Sequence, residues 1–346
     1  MKAVVHNNSF DFLRLLLAVL VVFSHSYHIT GNRETEPLLL WSNGETDLGT
    51  FAVKGFFAIS GYLVFASLKN SFSVIDFIRK RVLRIFPALI GLGIVSMMLI
   101  PLAYEGEIPI HQNRSYLIYP LKVLSLFQFQ IFVDGVFWNH PMKVINTSLW
   151  TLPYEAVCYF LLSLLFFIRK SRFIEMLLSI LFFILVFLSC FRHLMLNEKL
   201  FAHFNLFSYY FYDFAAFFIG GALISDLKVN VSRHQLLVVA VLAILCLCAF
   251  RLDLFRVSKY ILLPPLFVFL GNMKLKPLQA VTNRIGDLSY GIYIYGFLIQ
   301  QLVYYFLKPG VAGLFFISLP IIVVFAALSW HFIEKPALKL KNKRLV

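Results

Sequence analysis

Apolar residues occur along this chain in long windows that are separated by short polar, mostly basic segments. A helix must supply roughly 17 to 25 apolar residues to cross the hydrocarbon core of a bilayer. Ten windows reach or approach that length, and they cover residues 10–28, 50–68, 83–103, 149–168, 173–191, 205–225, 235–250, 254–271, 287–306 and 311–333. The pattern therefore predicts an all-α, polytopic integral membrane protein with about ten transmembrane helices.

One further apolar stretch, residues 116–133, contains Pro120, Lys122 and two glutamines, and it is either an eleventh span or a re-entrant or interfacial helix. The positive-inside rule decides between the resulting topologies. With ten spans and a cytoplasmic N-terminus, 19 basic residues fall inside, 10 outside and 2 within spans. The sequence thus favours ten spans, with both termini cytoplasmic and two larger external loops near 29–49 and 104–148.

The composition agrees with a lipid environment. Hydrophobic residues make up 60% of the 346, and charged residues only 14%, against roughly 25% in a typical globular chain. The net charge of +14 arises from basic loops that would meet anionic lipid, so we predict membrane lipids and no nucleic acid as partners. No internal repeat or low-complexity linker divides the chain, which predicts a single membrane-embedded domain over 1–346.

The four cysteines have neither the spacing of a zinc site nor that of a disulfide framework, so we predict no metal. Chemistry is more to be expected at ionisable groups within the spans, since each costs at least ~2.5 kcal/mol at the bilayer centre. Arg14 and His25 lie eleven residues apart on the first predicted helix. At about 3.6 residues per turn they share one face, with roughly 16 Å of rise between them.

These two residues allow either a functional or a structural interpretation. Arg14, near the cytoplasmic end, is suited to bind an anion, and His25, near the outer end, is suited to act as a base at neutral pH. Alternatively, Arg14 snorkels to the interface or pairs with Asp11, and a single histidine at a helix end is usually structural. Glu155 is predicted to lie at a depth similar to that of His25, where its carboxylate would orient the imidazole.

The segment Arg79–Arg84 enters the third predicted span from the cytoplasm and carries Arg81 and Arg84 one turn apart. It is either a positive-inside anchor or a clamp for phosphate, which guanidinium groups fit geometrically. A double exchange to lysine is expected to spare an anchor and to weaken a clamp. Asp213 is expected to accept an interhelical hydrogen bond, and the sequence assigns it no further role.

Six short motifs follow one another in a characteristic order along the chain. They are Phe10–Arg14 with His25, Phe56–Tyr62, Arg81–Arg84, Ser148–Trp150 with Glu155, Ser289–Tyr293 and Glu334–Pro336. In these motifs the chain resembles, over nearly its whole length, the membrane-bound acyltransferase-3 family, which acylates bacterial surface polysaccharides and related acceptors. Members of that family often carry a histidine a few residues after the Ser-Tyr motif, where this chain has Tyr295 and Gly296.

The resemblance implies transfer of an acyl group, usually acetyl from acetyl-CoA, to a sugar hydroxyl in the bacterial inner membrane. His25 would be the catalytic residue, and Arg81 and Arg84 would lie near the donor. Acyl-CoA would be a co-substrate rather than a permanently bound cofactor, and the acceptor a lipid-linked or surface glycan. The complete predicted site comprises His25 and Glu155 as catalytic, Arg14, Arg81 and Arg84 as donor-binding, and Asp11, Ser60, Trp150 and Tyr290 as supporting residues.

Two other functional classes are consistent with many helices and buried charges. One is a transporter or flippase of lipid-linked glycan precursors, and the other is a scaffold for polysaccharide synthesis without chemistry of its own. Transporters often consist of pseudo-symmetric halves with interrupted helices, a pattern not evident in this sequence. If the chain is an acyltransferase, the sequence leaves open whether transfer is direct or passes through an acyl-histidine.

Overall fold

The computed structural model describes residues 8–128, 130–191, 198–229 and 234–342. Within these ranges every regular element is a helix, which confirms the all-α prediction. Four basic residues predicted to be cytoplasmic and one predicted to be external lie outside the described residues, namely Lys2, Arg233, Lys343 and Arg344, and Arg192.

The helices pack into one bundle. In chain order they are α1 (Phe10–Ile29), α2 (Pro37–Trp41), α3 (Leu48–Lys69), α4 (Val74–Leu99), α5 (Arg114–Leu124), α6 (Leu152–Leu164), α7 (Phe173–Cys190), α8 (Glu198–His203), α9 (Ser208–Leu227), α10 (Gln235–Arg251), α11 (Phe255–Asn272), α12 (Lys276–Ile285), α13 (Ser289–Leu307), α14 (Val311–Ser329) and α15 (Lys335–Lys339). A 3₁₀ turn, Ser148–Thr151, leads into α6, and a π-helical turn, Trp330–Glu334, joins α14 to α15.

All ten windows predicted as spans are helical. Among the described residues, seven helical stretches are long and apolar enough to cross a membrane. An eighth results if α11 and α12, which meet at an angle of 79°, form one broken span. The remaining two windows correspond to α10, with 17 residues, and α13, with 19 residues. The structure thus supports a polytopic membrane protein, while the count of ten spans and the cytoplasmic termini stay predictions.

The stretch 116–133 is not an eleventh span. Its helix, α5, has 11 residues and is too short to cross a bilayer. Residues 130–147 are non-helical and run into the bundle, where the Asn146 amide donates to the Ile294 carbonyl over 2.7 Å. Irregular backbone at such a depth is tolerated where protein buries it. As a result, the first residue of α6 lies inside the bundle and not at the end of the bundle.

Helices α3 and α9 approach each other closely because each carries a glycine at the contact. A Cβ at Gly61 would overlap the carbonyl of Phe218, and a Cβ at Gly221 would overlap the carbonyl of Ala58. Small residues that allow backbones to touch are a common device of helix packing in membranes. The contact fixes the rotation of α3 and with it the position of Ser60, the neighbour of Gly61.

A buried charge cluster ties α9 to two neighbouring helices. Asp213 of α9 lies 3.7 Å from Lys54 Nζ of α3 and 3.0 Å from Lys259 Nζ of α11. The Tyr260 hydroxyl donates to the same carboxylate over 2.5 Å. The expectation that Asp213 accepts an interhelical hydrogen bond is therefore confirmed, and the carboxylate compensates cations that would be costly alone.

Candidate functional site

A cavity of about 490 Å³ opens at the end of the bundle where α1 begins, which we call the Arg14 end. Residues from α1, α3, α4, α6, α13 and the C-terminal helices line it. Seven of the nine predicted site residues lie on its wall, namely Asp11, Arg14, Ser60, Arg81, Arg84, Glu155 and Tyr290. The structure thus brings together residues from distant parts of the chain, but His25 and Trp150 are not among them.

Two of the predicted donor-binding arginines share one carboxylate. Arg14 Nη1 lies 3.0 Å and Arg84 Nη2 2.7 Å from Asp287 Oδ2, and the Ser289 hydroxyl donates to the other carboxylate oxygen over 2.6 Å. The two guanidinium groups therefore compensate the negative charge of the Asp287 carboxylate. Arg14 therefore pairs with a loop residue after α12 and not with its helical neighbour Asp11.

Arg81 is held differently from Arg84. Its Nη2 donates to the Ser67 hydroxyl over 3.2 Å, and its guanidinium lies 5.7 Å from the centre of the Tyr159 ring. Its Nε is buried and has no hydrogen-bond partner among the described residues. A buried donor without a partner is costly, so a ligand with an anionic oxygen would stabilise this side chain.

The mouth of the cavity is basic. Arg284, His331, Lys335 and Lys341 line it in addition to the three arginines already named. Burial, together with Arg81, Arg84 and Arg14, lowers the pKa of Lys341 to about 7. Six lysine and arginine side chains in a partly enclosed space attract a polyanion more strongly than single surface charges do.

Deeper in the cavity, Glu155 belongs to a hydrogen-bonded cluster that we call the Glu155 cluster, with Ser60 and Tyr159. The Ser60 hydroxyl donates to Glu155 Oε1 over 3.1 Å, and the Tyr159 hydroxyl donates to the same oxygen. The two hydroxyls lie 2.9 Å apart. The cluster presents a carboxylate and two hydroxyl groups to whatever enters from the basic mouth.

The structure does not place Glu155 at the depth of His25. Ser24 Oγ, next to His25, lies 3.1 Å from the position that a Cβ would take at Gly49. Ser60, the partner of Glu155, is eleven residues further along α3, which corresponds to about 16 Å of rise. The prediction failed because it assumed that α6 starts at the surface of the membrane, whereas α6 starts inside the bundle. Glu155 therefore cannot orient the imidazole of His25.

His25 lies beyond the far end of the cavity. Its ring contacts that of Phe297 at a centroid distance of 5.0 Å and that of His28 at 6.5 Å. The Nδ1 atom is buried and has no hydrogen-bond partner among the described residues. Arg14 and His25 do share one helix, as predicted, but the cavity that contains Arg14 stops before it reaches His25.

The other two supporting residues have clear packing roles. Trp150 packs against the rings of Tyr210 and Phe214, at centroid distances of 4.7 and 5.5 Å, and so fixes the turn before α6 against α9. The Tyr290 hydroxyl donates to the Ile85 carbonyl over 3.2 Å, and the Tyr290 ring lies beneath the guanidinium of Arg84.

Sequence reasoning missed Asp287, Tyr159 and Lys341, which all line the cavity. Tyr159 follows Glu155 by one helical turn, a spacing at which side chains meet, and this signal could have identified it. Asp287 is the first residue of the predicted window 287–306, and an acidic residue at the end of a span is a weaker signal. In the sequence, Lys341 is one of several basic residues near the C-terminus, and nothing distinguishes it from the others.

Comparison with known proteins gives three findings. Residues 7–331 match the family model described as an acyltransferase domain. The chain is 32% identical over 346 residues to an "O-acetyl transferase" of Shigella phage Sf6, covering 98% of both chains. It is 27% identical over 381 residues to "Nodulation protein 10" of Rhizobium leguminosarum bv. viciae, covering 97% of this chain and 95% of that protein. No solved structure matches the chain significantly.

Proposed function

This chain belongs to the acyltransferase-3 family, and on that premise we propose that it transfers an acetyl group from acetyl-CoA to a hydroxyl of a surface or lipid-linked glycan. The name of the phage relative, an O-acetyl transferase, supports acetyl as the group and oxygen as the acceptor atom. The protein would work in the plasma membrane of a bacterium, where cytoplasmic acetyl-CoA and external glycans are separated only by the bilayer.

The basic cavity is the observation that carries this proposal. Six lysines and arginines line it, against the three carboxylates of Asp11, Glu155 and Asp287. Phosphates of the donor would bind at the mouth, where guanidinium groups match their geometry and Arg81 Nε has no hydrogen-bond partner in the part of the chain that the structure describes. With the Arg14 end in the cytoplasm, the pantetheine arm would extend past the Glu155 cluster and carry the thioester toward the opposite face.

His25 would serve as the general base on the acceptor side. One ring nitrogen removes the proton of the attacking hydroxyl as its oxygen bonds to the thioester carbon. The carbon–sulfur bond then breaks, and the thiolate of CoA takes up the proton from the imidazolium. In the alternative route, a ring nitrogen of His25 attacks the thioester carbon, the carbon–sulfur bond breaks and the thiolate of CoA leaves. The acceptor hydroxyl then attacks the carbon of the acyl-histidine, the carbon–nitrogen bond breaks, and the hydroxyl proton passes to the thiolate. In either route Glu155 lies on the donor side, where it accepts hydrogen bonds from Ser60 and Tyr159.

The test is a transfer assay with purified protein, labelled acetyl-CoA and glycan from cells that lack the protein. We expect label in the glycan, and a loss of about 10²- to 10⁴-fold in rate for His25→Ala, because a positioned base is removed. The exposed His203 of α8 supplies the matched control, since His203→Ala deletes an imidazole far from the cavity.

Two outcomes would contradict the proposal. Near-normal turnover of His25→Ala would remove His25 from the chemistry. Translocation of glycan without any acyl transfer would identify a transporter or flippase instead. A mass spectrum of the surface glycan, with and without the protein, tests the same proposal in cells, because acetylation adds the mass of an acetyl group at each modified hydroxyl.

A further inference from the structure

Three side chains of the cavity wall lie between the Glu155 cluster and His25, and we call them the constriction. They are Phe56 of α3, Thr151 at the end of the 3₁₀ turn, and Tyr293 of α13. The rings of Phe56 and Tyr293 meet edge to face at a centroid distance of 5.7 Å, and the hydroxyls of Tyr293 and Thr151 lie 2.6 Å apart. All three residues are on the cavity wall, whereas His25 is not.

The helical register places the constriction on the path to His25. Phe56 precedes Ser60 by one turn of α3, and Tyr293 precedes Phe297 by one turn of α13. Each turn corresponds to about 6 Å of rise for four residues. Phe297 in turn contacts the His25 ring. A thioester that enters at the basic mouth must therefore pass the constriction before it can react at His25.

The constriction is supported by hydrogen bonds around it. Asn146 donates from its amide to the Ile294 carbonyl, next to Tyr293, over 2.7 Å. The same side chain accepts from the Ser148 amide over 2.9 Å, at the start of the turn that ends in Thr151. Asn146 thereby fixes the distance between Thr151 and α13. Asn146, Thr151 and Tyr293 are all buried, so the position of the constriction is fixed by the interior of the bundle and not by surface side chains.

We infer that the constriction selects the acyl group by size, and that Phe56, Thr151 and Tyr293 admit acetyl and exclude longer acyl chains. This inference rests on the proposed function, since it concerns the donor of that reaction. A closely packed site can discriminate by roughly 10- to 200-fold for one extra methylene. A longer chain held below the opening would lie against the carboxylate and hydroxyls of the Glu155 cluster, which is unfavourable for apolar groups.

The experiment compares acetyl-CoA, propionyl-CoA and butyryl-CoA as donors for the purified protein. We expect the parent protein to prefer acetyl over propionyl by about tenfold or more in kcat/KM. Phe56→Ala widens the opening and should reduce that preference to about threefold or less, mainly by raising propionyl transfer. Thr151→Val keeps the shape of the side chain but removes the hydrogen bond to the Tyr293 hydroxyl. This variant should therefore also reduce the preference for acetyl over propionyl.

Tyr305→Phe is the matched control, because it also removes a hydrogen bond of α13, the one to Glu105 of 2.8 Å, but lies off the cavity wall. It should leave the preference unchanged. Should Phe56→Ala not fold, Phe56→Leu and Thr151→Val test the same point. A uniform loss of rate with all three donors, at an unchanged ratio, would mean that the constriction is only structural.

A parent protein that uses the three donors equally well would overturn the size selection and leave the proposed function intact. A parent protein that transfers none of the three acyl groups would overturn the proposed function itself. The two failures are therefore separate results of one assay.

Discussion

At the scale of single residues, Lys341 should make the affinity for the proposed donor, acetyl-CoA, depend on pH. Burial and three neighbouring arginines lower its pKa to about 7. Its amine is therefore charged below that pH and attracts phosphate, and it loses this charge as the pH rises. We expect the KM for acetyl-CoA to increase several-fold between about pH 6 and pH 8, as expected for the loss of one partly buried cation.

Lys341→Arg separates this effect from other titrations, including that of the donor's own phosphates. A guanidinium stays charged over the whole range, so this variant should have a flatter pH profile of KM than the parent protein. Steady-state kinetics at constant ionic strength measure both profiles. Identical profiles would show that Lys341 does not contact the donor.

The structure also predicts different effects at Arg81 and Arg84, which the sequence treats as one pair. Arg84 holds Asp287 together with Arg14, whereas Arg81 has a buried Nε without a partner among the described residues. Arg81→Lys should raise the KM for acetyl-CoA about tenfold with little change in melting temperature, because a point charge cannot replace the guanidinium fork. Arg84→Lys should lower the melting temperature as well.

Kinetics and thermal melting of the detergent-solubilised variants distinguish the two residues, with Arg114→Lys at the start of α5 as a control outside the cavity. If both cavity variants use acetyl-CoA as well as the parent does, the arginines only anchor α4.

The sequence identified many residues of the cavity but not how they pair. Arg14, Arg84 and Glu155 are conspicuous because charges are rare within membrane spans, and that rule needs no knowledge of the fold. Asp287, the partner of Arg14, is 273 positions away and lies in a loop, where a carboxylate is ordinary. Pairing over such a distance depends on tertiary packing, which the spacing of residues along the chain does not encode.

At the scale of helices, Asp213 should be the most sensitive position in the bundle. Asp213→Asn would leave Lys54 and Lys259 buried without their counter-charge, and breaking a buried pair in this way costs about 3–5 kcal/mol. We expect a large fall in the melting temperature of the solubilised protein. Asp226→Asn is the control, because it breaks the pair between Asp226 of α9 and Lys69 of α3. The Lys69 side chain is 25% exposed, so this pair is less buried than that of Asp213 and Lys54.

Similar melting temperatures for the two variants would show that the triad of Asp213 does not stabilise the bundle.

The helices themselves are easier to predict from the sequence than the depths at which they lie. Window length is dictated by the thickness of the bilayer, so the predicted windows and the observed helices agree closely, as for α3 and α9. Hydropathy does not reveal that residues 130–147 enter the bundle, and this displaced Glu155 from its predicted depth.

At the scale of the whole molecule, the mechanism requires a definite orientation. The proposed donor, acetyl-CoA, is an anion of the cytoplasm and cannot cross the bilayer, so the proposal requires the basic mouth to open to the inside. The C-terminal residues Lys335 and Lys341 line that mouth. The side of the membrane on which Lys335 and Lys341 lie is therefore also the side on which the cavity opens.

Cysteine labelling in intact cells tests this orientation. We expect a membrane-impermeant maleimide to modify Glu45→Cys, in the exposed loop before α3, from outside, and Arg344→Cys only after the cells are permeabilised. The parent chain, with its exposed Cys248, measures the background. The reverse pattern would place six basic side chains of the cavity on the side that lacks acetyl-CoA, and a two-sided transfer through this bundle would then be impossible.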